Sequence, residues 1–275
     1  MTQLPEVEVI RKDLEKDVTG KRIKDVTVKT ASVVSRHRNR PGFVKALEGR
    51  KIEHVVRRGT LLVLSLDSDA ALVVRLGSQG TVSRETATAE PGRHTQVVAT
   101  FTTGGALHVV DPNKDGELFV APRAEIADLP ELRPAGIDPL TDTFTWPSFN
   151  QQLRDRNTTL NAALTDETFV VGLGDLYADE ILWSAGLAGA RASTGLSSQE
   201  VRRLYRAVLE VLFEAVKQGG TEAGTEPGDD PFESEETHLL KVYGREGLPC
   251  MRCRQPIVKG SVAGRQSYYC SNCQT

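Results

Sequence analysis

From residue 4 to residue 18 the apolar side chains Val7, Ile10, Leu14 and Val18 recur at helical spacing, with Pro5 near the start and Gly20 just past the end. That pattern predicts an amphipathic helix opened by a proline and stopped by a glycine. The period then changes to two. Residues 23–28, 52–56, 61–66, 72–76, 95–101 and 107–110 are short runs rich in Val, Ile and Leu, broken by polar turns. Gly104-Gly105 between the last two runs is a hairpin signal. To about residue 125 the chain reads as an antiparallel sandwich or barrel carrying one helix.

A linker with Pro122, Pro130, Pro134 and Pro139 follows, after which the periodicity is helical. Ser197-x-x-Glu200 forms a capping box ahead of Val201, Leu204, Val208, Val211, Leu212 and Ala215, and Gly219-Gly220 ends that helix. Gly172-Leu173-Gly174 interrupts the helical pattern just before Asp175. The glycines permit close backbone approach, and a helix starting near Asp175 offers free N–H groups suited to a phosphate oxygen. A plain helix–helix turn is the other reading of those glycines. Residues 221–235, rich in Glu, Gly, Pro and Asp, read as a mobile surface loop.

Charge is distributed unevenly. The whole chain of 275 residues has 34 basic and 37 acidic side chains, a net of −3. Residues 1–60 alone hold fifteen Lys/Arg against eight Asp/Glu, while residues 218–237 hold seven acids and no base. From residue 241 onward, six basic residues face one acid, Glu246. Basic ends around an acidic middle suit a protein that grips phosphates with chosen faces. A scattered, solvated surface is the bland alternative. A hydrophobic content of 39% and a charged content of 26% are ordinary for a globular protein. No apolar run reaches the ~20 residues that span a bilayer, so membrane residence is not expected.

All four cysteines lie in the last 26 residues, as Cys250-x-x-Cys253 and Cys270-x-x-Cys273. Two such knuckles supply four thiolates to one tetrahedral Zn²⁺, which makes the tail a zinc ribbon. Two disulfides are the competing arrangement, and the absence of a secretory signal argues against them. A site with four protein thiolates has no open position, so this metal is structural. Reducing conditions fit the thiolates. The expected location is cytoplasmic and nucleoid-associated, and the expected state a monomer.

Three motifs then coincide in order: Leu4-Pro5-Glu6-Val7-Glu8, the stretch from Val171-Gly172-Leu173-Gly174-Asp175 to Asp179-Glu180, and Lys241-Val242-Tyr243-Gly244-Arg245. With Gly264-Arg265-x-Ser267-Tyr268-Tyr269-Cys270, the chain resembles the Fpg/Nei family of bacterial DNA glycosylase/AP lyases over essentially its whole length. The resemblance implies an α+β, multidomain fold. An N-terminal helix on a β-sandwich (1–125) would be followed by a helix-two-turn-helix domain (126–222) and a zinc finger (236–275), with duplex DNA, damaged or abasic, held between them. It also implies chemistry from the N-terminus: a proline amine exposed by Met removal attacks C1′ of the damaged nucleotide, and a neighbouring glutamate protonates the sugar.

Against that pattern the reactive positions are rewritten. Thr2 stands for the proline and Gln3 for the glutamate, while Glu6 matches. Thr60 stands for a hairpin lysine, Asp175 for an asparagine, Ser78 for a methionine, and Asn113, Lys114 and Asp115 for an Arg-Arg-Phe triplet. Thr2, Gln3 and Glu6 are thus the catalytic candidates. Thr60, His94, Asn113, Arg156, Asp175 and Arg265 are the DNA-contact candidates, and Cys250, Cys253, Cys270 and Cys273 the metal ligands. Thr2 is small, so Met1 should be removed and a free α-amine exposed, competent for Schiff-base formation near neutral pH. An amide at Gln3 cannot protonate a sugar oxygen, whereas an abasic sugar opens to an aldehyde and needs that proton far less. The favoured reading is Schiff-base chemistry at abasic sites with weak base excision. The alternatives are a catalytically silent binder of damaged or branched DNA and, further off, an RNA binder.

Overall fold

The computed structural model describes residues 2–126, 128–130, 136–141, 144–220 and 240–275. Met1, Pro134 and the acidic segment 221–235 lie outside the described residues. Two compact units divide the chain, Met1–Arg133 and Pro134–Thr275, so the helical segment and the ribbon cluster together.

In the first unit, helix α1 (Leu4–Val18) carries Pro5 in its first turn, and Gly20 follows at φ +84°. Two four-stranded antiparallel sheets make a sandwich. One runs β1 (Ile23–Val28), β6 (Thr95–Phe101), β7 (Ala106–Val110), β5 (Thr81–Glu85); the other runs β2 (Ile52–Arg58), β3 (Leu61–Leu66), β4 (Ala70–Arg75), β8 (Glu117–Pro122). Val7, Ile10, Leu14 and Val18 of α1 join Val26, Phe101 and Leu107 from the first sheet and Val55, Leu62, Leu64 and Leu118 from the second in one core. Helix α2 (Arg40–Leu47) adds Phe43 and Leu47, its Asn39 side chain capping the Gly42 N–H.

The period-two pattern does not hold everywhere. Strand β3 is buried at five of six positions and β4 at four, because the far face of their sheet has its own core of Leu61, Val63, Val73, Phe119 and Ile126. Ile126 comes from a short helix α3 (Arg123–Ile126), and Pro122, expected in a linker, instead closes β8. Gly104 and Gly105 turn the β6–β7 hairpin at φ +85° and +82°.

In the second unit α4 (Trp146–Arg154), α5 (Leu160–Leu164), α6 (Asp175–Ala185) and α7 (Ser198–Lys217) enclose one apolar core around Phe149, Phe169, Tyr177, Ile181, Leu204 and Val208. The capping box at Ser197 and Glu200 is formed in both directions. The tail folds as an antiparallel hairpin of β9 (Val258–Val262) and β10 (Arg265–Tyr269). Ala263 and Gly264 form its turn at φ +51° and +80°, the backbone of a two-residue hairpin turn. Among the described residues no helix is long and apolar enough to cross a membrane.

Candidate functional site

The four cysteine sulfurs lie within 4.8 Å of one another. Cys250 and Cys273 are 3.9 Å apart, Cys253 and Cys270 3.4 Å. Disulfides need about 2.05 Å, whereas thiolates on one zinc at about 2.3 Å stand roughly 3.8 Å from each other. The donor set therefore fits a tetrahedral structural Zn²⁺. Against the desolvation of burial, N–H donors from Cys253 and Arg252 and the Trp183 indole hold the Cys250 thiol down to about 6, while burial and the neighbouring sulfurs push Cys273 up to about 12, a crowding of thiolates that a shared cation would relieve.

Helix α6 carries the ribbon on its acidic residues. Asp179, buried on this helix, accepts the Ser267 hydroxyl and the Tyr268 N–H, both at 2.6 Å. Burial pushes its carboxyl up to about 7, with the two donors pulling the other way. Glu180, one residue on, accepts the backbone N–H groups of Lys241, Val242 and Tyr243 at 2.8–3.0 Å, and burial raises its carboxyl too. Trp183 packs with Val242, Cys250, Ile257, Tyr268 and Cys270. At the start of the same helix, Asp175 Oδ1 accepts from Arg265 Nε at 2.6 Å. Asp175 and Arg265 are thus brought into direct contact, with Gly174 as N-cap and Gly172 at φ +72° forming the entry turn.

The first unit assembles a second group. The Thr2 N–H donates to the Gly77 carbonyl at 3.2 Å, and the Thr2 hydroxyl lies 2.8 Å from both the Gly77 and the Gly80 carbonyl. Asp115 receives the Ser78 N–H and hydroxyl, each at 2.9 Å, and Asn113 donates to the Ser78 carbonyl at 2.8 Å. Asp111 accepts the N–H groups of Lys114 and Gly116. A side chain at Gly77 would place Cβ 2.1 Å from Asp115 Oδ1 and 2.6 Å from Asp111 Oδ1, so only glycine fits there. Burial works against ionisation of Asp115, but the two Ser78 donors and the charge of the chain's N-terminal ammonium outweigh it and hold the carboxyl below its usual range. The polar residues at positions 78, 113 and 115 therefore bond to one another, next to the carbonyls that hold Thr2. Thr2 is buried at 3% exposure.

The remaining candidates are placed as follows. Gln3 is the N-cap of α1 at φ −82°, ψ 170°, its side chain making no cap bond. Glu6 is buried in the first turn of the same helix. Thr60 is buried in the Gly59-Thr60 turn joining β2 to β3. There Arg57 reaches back to Glu8 at 2.8 Å and to the Gly59 carbonyl. The backbone carbonyl of His94 accepts the Asp111 N–H at 3.0 Å, which ties it to the loop bearing Asn113. Arg156 is committed within its own unit: it donates to the carbonyls of Gln152 and Thr168 and covers the Phe169 ring at 4.7 Å. Sequence reasoning missed the roles of Asp179 and Glu180. Their signal was two adjacent acids inside the apolar run of α6, since buried acids demand partners.

Three family models match along the chain: the formamidopyrimidine-DNA glycosylase N-terminal domain over residues 1–118, its H2TH domain over 135–226, and the zinc finger found in FPG and IleRS over 247–275. The formamidopyrimidine-DNA glycosylase of Pelotomaculum thermopropionicum is 34% identical over 274 residues, covering all of this chain and 99% of the relative. That of Thermus thermophilus is 37% identical over 280 residues, covering all of this chain and 98% of the relative. Among solved structures, Lactococcus lactis Fpg in complex with DNA containing an abasic site superposes with a TM-score of 0.88 at 28% identity, over 99% of both chains. Domain order, a four-cysteine zinc finger and full-length identity above 30% converge, and the chain belongs to the formamidopyrimidine-DNA glycosylase family.

Proposed function

We propose that this protein acts on damaged duplex DNA, forming a Schiff base between the Thr2 α-amine and C1′ of an abasic sugar, with only weak excision of intact bases. The observation that carries this reading is the fixed Thr2. Its N–H is tied to the Gly77 carbonyl and its hydroxyl lies between the Gly77 and Gly80 carbonyls, so removal of Met1 leaves a primary amine at a defined position. The solved relatives bound to abasic-site DNA support the substrate class. In the reaction the amine, once deprotonated, adds to the aldehyde carbon of the opened sugar. The carbinolamine then loses its hydroxyl as water, which takes up one proton, and leaves an iminium. Arg265, on the basic ribbon, is the phosphate-binding residue of this reading, while Gln3 supplies no proton for cleaving an intact glycosidic bond.

A second reading, a silent binder of damaged or branched DNA, is favoured by one observation: the 3% exposure of Thr2. Borohydride trapping on abasic duplex separates the two. Wild type and Thr2→Gly should both give a covalent adduct, and protein with an N-terminal extension that retains Met1 should give none. Equal trapping by the extended form would remove the terminal amine as nucleophile. Clear duplex binding with no trapping by any form would leave the silent binder.

A further inference from the structure

The ion pair between Asp175 and Arg265 is not needed to seat the ribbon. Asp179 already holds Ser267 and Tyr268, Arg252 donates to the carbonyls of Trp183 and Ser184, and Gln274 donates to the carbonyl of Leu187. Unlike the buried contacts of Asp179 and Gln274, the pair is open to solvent, with the Arg265 side chain 46% exposed and Asp175 31%. Arg265 is the first residue after the hairpin turn, and Asp175 the first residue of α6. The one arginine that β10 presents at its tip is therefore already holding an anion supplied by the chain itself.

We infer that Asp175 competes with nucleic-acid phosphate for Arg265, so that backbone binding at this corner is an exchange of one anion for another. This rests on the reading that the protein binds duplex DNA. A guanidinium fork donates the same N–H groups to carboxylate and to phosphate oxygens, and cannot serve both fully. The first turn of α6, whose free N–H groups favour a negative charge, is likewise supplied with one by Asp175. A phosphate entering here displaces the carboxylate and then sits beside it. The neutral pair also adds little to the counterion release that drives association, where each phosphate met by an unpaired cation adds about 0.9 to the salt slope. Asp175 in this way sets specificity: general backbone affinity is held down, and a bound state must draw on contacts made elsewhere.

The test is duplex binding against salt concentration, with undamaged DNA and with DNA carrying a stable abasic analogue, for wild type, Asp175→Asn, Arg265→Ala and the double variant. Asparagine keeps the shape and is a good residue at a helix start. Asp175→Asn should tighten binding roughly tenfold at low salt and steepen the salt slope by about one. Arg265→Ala should weaken wild type less than it weakens Asp175→Asn, and should abolish the gain of Asp175→Asn. Unchanged affinity and slope in Asp175→Asn, or an Arg265→Ala loss as large in wild type as in that background, would overturn the inference while leaving DNA binding intact. Absence of binding by every variant at every salt would overturn the DNA reading itself and the inference with it.

Discussion

Removing the zinc is expected to unfold residues 247–275 and to loosen helix α6 with them. A lone two-stranded hairpin is marginal in water, and the described apolar contacts of this one are few: Trp183, Val242, Ile257 and Tyr268 around Cys250 and Cys270. Structural zinc in such modules carries about 10–16 kcal/mol of apparent binding free energy, which is folding free energy. The damage should reach further because Asp179 takes both its 2.6 Å partners, Ser267 and Tyr268, from the ribbon. Losing both short donors, with the longer Asn161 contact at 3.4 Å remaining, costs that buried carboxyl about 1–3 kcal/mol. Chelator titration, followed by hydrogen exchange across α6 and β10, checks this. Amides of β10 that stay protected after all zinc has left would show a hairpin that folds without metal.

Gln3→Glu should raise the release of oxidised bases from duplex DNA by about 10²–10⁴-fold, the usual worth of a positioned general acid. The substitution is nearly isosteric, and Gln3 occupies the N-cap of α1 without using its side chain there, so the backbone should be undisturbed. The helix N-terminus favours the ionised form of the new carboxyl, and a general acid acts only while protonated, so the gain should shrink as pH rises. Single-turnover base release by wild type, Gln3→Glu and the pair Thr2→Pro with Gln3→Glu measures the gain. No gain in either variant would locate the defect in the base pocket rather than at residue 3.

Much of the architecture was legible because its signals are local. Helix α1, the Gly104-Gly105 hairpin, the Ser197 capping box and the cysteine knuckles each depend on residues a few positions apart. What sequence did not reveal depends on distant partners. Strands β3 and β4 are apolar on both faces because a second core covers the far side of their sheet, and periodicity alone cannot report that cover. Strands β5 and β8 and helix α2 were missed; β5 (Thr81–Glu85) is polar and only partly buried. In the candidate site the changed residues at 78, 113 and 115 were visible as substitutions, but their hydrogen bonds to each other join loops more than thirty residues apart. Asp175 read as an acid where the resemblance expects an asparagine. In three dimensions it has a partner 90 residues away, which sequence spacing could not show.

The protein also carries an optical probe of its own metal. Of its two tryptophans, Trp183 donates its indole N–H to the Cys250 sulfur at 3.4 Å, while the Arg252 guanidinium lies 4.0 Å over the same ring. Trp146 packs instead against Tyr205 in the helical core. Emission from one indole is thus tied to the charge on a zinc-bound thiolate and the other is not. Zinc occupancy is written into the ratio of a buried chromophore to its internal reference, readable without any added dye.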